Sequence, residues 1–122
     1  MDISKRIAEM KKQPGFQDNV GMILIHNGTV RGWSRQDNKK KVAALEVTPD
    51  LDKIESIRQD LLKRDGIYDI VTEAKTGHFQ PGDDLLFLIV AGDIRENIKP
   101  VLAELLDRVK SEAISKKEIM AE

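Results

Sequence analysis

Seven consecutive apolar residues, Leu85 to Ala91, stand in a chain of which 34% is charged. A run this short, rich in branched side chains and preceded by the turn signal Pro81-Gly82, reads as a strand rather than a helix. Nothing polar interrupts it, so it belongs at the centre of a sheet with both faces covered. The rest of the chain must supply flanking strands and covering helices.

Those elements are visible in the periodicities. Ile3, Ile7 and Met10 recur at helical spacing between Asp2 and Lys12, and Pro14-Gly15 stops this short surface helix. Val20 to Ile25 reads as a strand that continues through Thr29 to Trp33 after a kink at Gly28. A polar hairpin loop over Ser34 to Lys41 then leads to a second, antiparallel strand, Val42 to Val47. Leu51, Ile54, Ile57, Leu61 and Leu62 mark one face of a helix that starts after Thr48-Pro49-Asp50 and ends near Gly66. Ile67 to Ala74 reads as a third strand, with turns at Thr76-Gly77 and Pro81-Gly82 around it. Ile98, Val101, Leu102, Leu105, Leu106 and Val109 give a second long helix. A start at Asn97 keeps Pro100 in its first turn, where a missing N–H costs least. From about Ser111 the pattern thins to a charged tail. The expectation is a single α+β domain over residues 1–122, with a mainly antiparallel sheet of at least four strands covered by two long helices.

Composition restricts the chemistry. The chain's 122 residues fit one core. Twenty Lys and Arg face 21 Asp and Glu, which argues against a nucleic-acid coat or a polybasic membrane binder, so any anion site must be local. The absence of Cys removes disulfides, thiolate metal sites and a thiol nucleophile, and two distant His residues make a metal centre unexpected. No apolar run approaches membrane-spanning length and the N-terminus lacks a leader pattern, which makes cytoplasmic location the default. P-loop, dinucleotide-glycine, nucleophile-elbow and zincin motifs are missing. What remains is a scattered set of cations: Arg31 between Gly28 and Gly32, Arg95 before the last long helix, and Lys110, Lys116 and Lys117 after its apolar stripe. Each, taken singly, reads as a solvated charge. His26 reads as a packed, hydrogen-bonded histidine and His78 as a turn residue.

The order of segments says more. Gly21-Met22-Ile23-Leu24-Ile25-His26-Asn27-Gly28-Thr29-Val30-Arg31-Gly32, the strand Val42-Ala43-Ala44-Leu45-Glu46-Val47, the Lys75-Thr76-Gly77 turn and Pro81-Gly82-Asp83 follow one another. After them come the apolar strand, Leu105-Leu106-Asp107-Arg108-Val109-Lys110 and Lys116-Lys117-Glu118. From about Asn19 to Glu118 this series resembles the large, catalytic subunit of molybdopterin synthase, with its Gly-x-Val-Arg strand, Ala-Leu-Glu strand and closing Trp-Lys-Lys-Glu.

The resemblance implies an α/β-hammerhead fold and a sulfur-transfer enzyme of molybdenum cofactor biosynthesis. Its substrate would be a cyclic pyranopterin monophosphate, and no resident cofactor is implied. Sulfur would arrive as a thiocarboxylate on the C-terminal Gly-Gly of a small ubiquitin-like partner, with two large subunits forming a central homodimer. It further implies Arg31 and Arg95 as substrate-pocket residues and Lys110 as a catalytic lysine. The second lysine maps to Lys116 if Glu118 anchors the comparison and to Lys117 if spacing from Lys110 does. Spacing favours Lys117 as catalytic and leaves Lys116 to bind substrate. Where the family has a His-Arg pair, this chain has Ile94-Arg95, and its Ala113-Ile114-Ser115 replaces a Pro-x-Trp segment. A non-catalytic relative that binds a sulfur-carrier tail is the alternative reading.

Overall fold

The computed structural model describes all 122 residues, Met1–Glu122. Their order is α1 (Ile3–Lys11), α2 (Phe16–Asn19), β1 (Met22–Thr29), β2 (Val42–Pro49), α3 (Leu51–Leu62), β3 (Ile67–Ala74), β4 (Gly77–Phe79), β5 (Asp84–Gly92), α4 (Arg95–Glu112) and β6 (Ile114–Met120). The strands form two antiparallel three-stranded sheets, ordered β1-β5-β3 and β4-β2-β6.

The apolar run does occupy the centre of its sheet. Leu86, Leu88 and Val90 of β5 face α3 and α4, where they meet Ile54, Ile57 and Leu61 and then Ile98, Val101 and Leu105. Alternation sends Ile89 and Ala91 to the opposite face, against Val71 of β3 and Met10 of α1. Each fully buried aliphatic side chain here contributes about 1.5–3 kcal/mol, which makes this sandwich the principal source of stability. Helices α3 and α4 run antiparallel, with Arg108 on Asp60 at 2.7 Å, Arg64 on Glu104 at 2.9 Å and Lys53 near Glu112 at 3.4 Å. Local capping sets where helices begin. Asp2 and Asp50 accept N–H bonds from Lys5 and Lys53 respectively, each three residues on. Gly66, at φ 77°, reverses the chain after α3. No helix is long and apolar enough to cross a membrane.

Four expectations need correction. Strand β1 does not pair with β2: it runs beside β5, from Met22 opposite Gly92 to Thr29 opposite Asp84. Nearness in sequence favoured a hairpin, but β5 offers an edge matching the full length of β1. A bulge between Gly28 and Thr29 then turns the chain toward the second sheet, and only Trp33 bridges back to Lys41. Secondly, the charged tail is strand β6, hydrogen-bonded along β2. Its stability comes from backbone pairing, which leaves little trace in side-chain pattern. Thirdly, Gly77 to Phe79 is a strand rather than only a turn, so six strands meet the expected minimum of four, and two short helices accompany the two long ones. Finally, α4 starts at Arg95 and holds Pro100 internally. Asp93 accepts from the Ile94 N–H and from Asn97 Nδ2, which fixes the chain at the start of this helix.

Candidate active site

The two sheets meet at a cavity of about 320 Å³. Gly28 and Thr29 of β1 with Leu85 and Leu86 of β5 form one wall, and Val42, Leu45 and Val47 of β2 form the facing one. Val30, Leu45 and Val47 are buried there as a small apolar cluster of their own. Polar groups enter from three elements: Arg31 from the segment after β1, Lys110 from the last turns of α4, and Lys116 and Glu118 from β6. Three cations against one carboxylate leave the cavity positive, in a chain whose formal net charge is −1.

Strand geometry decides which tail lysine belongs here. Successive β6 side chains point to opposite faces, so Lys116 and Glu118 share the cavity side. Lys117 pairs in register with Glu46, which in turn sits beside His78 at 3.8 Å on the outer face. Within the chain, the β6 lysine that lines the cavity is therefore Lys116. Arg95 is likewise placed elsewhere. It is 76% exposed and bonded to Glu96 at 3.2 Å, and lies about 22 Å along α4 from Lys110 at 1.5 Å rise per residue. The expected convergence of Arg31 with Lys110 is present, and that of Arg95 with either is not.

Electrostatics follow from this crowding. Although the residue as a whole remains exposed, Lys110 has its pKa lowered from the usual 10.5, first by loss of water around the ammonium and then by repulsion from Lys116, Arg31 and Arg35. Asp107, one turn earlier on the same helix, opposes the shift. The amine is thereby biased toward its uncharged, proton-accepting form. Glu118 is held by Ser34, a fully buried residue whose hydroxyl donates to Oε1 at 2.7 Å while accepting the N–H groups of Gln36 and Asp37. One hydroxyl thus ties the polar loop to the cavity carboxylate.

His26 departs from its expected role. It projects from β1 on the same side as Gly28, and its Nε2 is buried without any hydrogen-bond partner. Burial, and then the charge of Lys110, lower its pKa from 6.5, so the ring stays neutral. Sequence inspection missed Glu118, Ser34 and this proximity of His26 to Lys110. Only the alternation of β6 hinted at the first, and no local signal marked the other two.

This α+β fold has solved counterparts. A molybdopterin synthase structure from Staphylococcus aureus superposes with a TM-score of 0.78 at 20% identity, covering 98% of this chain and 85% of that one. Molybdopterin cofactor biosynthesis protein E from Burkholderia multivorans gives 0.76 at 22% identity, over 99% and 82%. The complex of subunits 1 and 2 of molybdopterin-converting factor from Helicobacter pylori gives 0.69 at 16% identity, over 98% and 80%. These likenesses establish the fold class. The chain belongs to the MoaE protein family, which matches residues 1–112. Strand β6, with Lys116 and Glu118, lies beyond that match but within the structural ones. No curated protein matches the sequence.

Proposed function

We propose that the chain is the large, catalytic subunit of a molybdopterin synthase, acting in molybdenum cofactor biosynthesis in the cytoplasm. It would convert a cyclic pyranopterin monophosphate into molybdopterin with sulfur from the thiocarboxylated Gly-Gly end of a small ubiquitin-like partner. Two such chains would form the centre of the assembly. The observation that carries this reading is the convergence of Arg31, Lys110 and Lys116 on one cavity between the sheets.

The division of labour follows from chemistry. An apolar floor receives the body of the pterin, while Arg31 and Lys116 hold its phosphate through charge-assisted hydrogen bonds. Lys110, with its lowered pKa, accepts a proton as sulfur adds, and in its protonated form stabilises negative charge on the acyl oxygen of the partner's tail. Sulfur comes from the partner, so a chain with no cysteine has the groups this task requires.

The test is reconstitution with a thiocarboxylated partner and the pterin precursor. Dithiolene product is expected, and Lys110→Ala should slow its formation by about 100-fold or more, the usual scale for losing a proton-transfer group. Ile94, exposed where the family pattern has histidine, favours the second reading, a tail-binding relative without chemistry. Partner binding with no product would establish that reading and reject the first.

A further inference from the structure

We propose that Trp33 is a positioning residue for Arg31, and that it presents the guanidinium to the anionic group in the cavity. The inference rests on the reading that Arg31 holds the substrate's phosphate.

Two contacts from the one residue carry it. The Arg31 guanidinium carbon lies over the Trp33 ring, 4.7 Å from its centroid. Arg31 Nε also donates to the Trp33 backbone carbonyl at 3.3 Å. The ring sets the plane of the guanidinium and the carbonyl sets its direction. This commits Nε, and neither terminal nitrogen of Arg31 makes an ion pair or hydrogen bond within the chain. That free pair is the fork that recognises two oxygens of a phosphate. Arg31 borders the cavity, so the fork is held ready there before any ligand enters.

Trp33 is itself anchored. It pairs with Lys41 as an isolated bridge, Gly32 accepts the N–H of Val42 at 3.1 Å, and Ser34, next in sequence, is fully buried and bonded to Glu118. Lys39 approaches the same ring at 5.8 Å. The indole is nonetheless 42% exposed and fills no core position, so packing does not account for a tryptophan here. A preorganised arginine does, because an unsupported one would lose rotamer freedom on binding.

The experiment uses the reconstituted synthase and the fact that this is the only tryptophan in the chain. Trp33→Leu keeps the carbonyl and removes the ring, and it should raise KM for the pterin monophosphate by about two- to fivefold, the effect of an exposed cation–π contact. The change should fall on KM rather than kcat, and Trp33→Phe should recover part of it. Arg31→Gln should raise KM further and alter the indole emission of the free protein. Circular dichroism and melting verify that each variant is folded. If Trp33→Leu leaves KM unchanged while Arg31→Gln raises it, the positioning role is overturned and the assignment of Arg31 stands. If Arg31→Gln also leaves KM unchanged, both fall. A loss confined to kcat, or Trp33→Phe as impaired as Trp33→Leu, overturns the positioning role as well.

Discussion

Lys110 and His26 carry opposite burdens of the same crowding. Both have lowered pKa values, yet one approaches reactivity and the other is held neutral. The folded His26 pKa lies below 6.5, so between the two values the unfolded chain binds more protons. The stability from neutral His26 is therefore complete above pH 6.5 and is lost as pH falls through the folded pKa. A pH series of melting temperatures should show this decline, and His26→Phe should flatten it; an unchanged slope would refute the assignment. Ser34 makes a separate demand. Ser34→Ala removes one donor to a carboxylate and one acceptor for two loop N–H groups, and should cost about 1–3 kcal/mol in denaturant unfolding. A loss below a few tenths would mean that the loop does not depend on this hydroxyl.

Among the elements, β6 shows how pairing assigns chemistry. Two adjacent lysines have identical local composition, but the strand places one in the cavity and the other opposite Glu46. Lys116→Ala should raise the KM for pterin substrate by about tenfold, the scale of a lost charge-assisted hydrogen bond, whereas Lys117→Ala should leave it near wild type. Steady-state kinetics of the two variants test the face assignment, and the reverse ranking would refute it. Helix α4 makes the complementary point. It carries Lys110 near one end and Arg95 at the other, so its length alone separates two residues grouped by resemblance.

At the scale of the molecule, stability and chemistry are unevenly shared between the sheets. β1-β5-β3 is covered on both faces by apolar clusters, while β4-β2-β6 buries chiefly Val42, Leu45 and Val47. Amides of β5 should therefore exchange with solvent most slowly, at rates set by global unfolding, and those of β4 and β6 earlier through partial opening. Hydrogen exchange followed by mass spectrometry reads this directly, and uniform protection of both sheets would contradict it. Much of this was legible in the residues. The apolar run named the central strand and periodicity named α3 and α4, because burial and helical spacing leave a local imprint; Arg31 and Lys110 were singled out by resemblance, and the fold brings both to one cavity. The partner of β1, the strand in the charged tail, which of Lys116 and Lys117 lines the cavity and the distance of Arg95 were decided only by the tertiary structure. Strand pairing is made by backbone groups common to every residue, and spatial convergence depends on contacts between segments far apart in the chain.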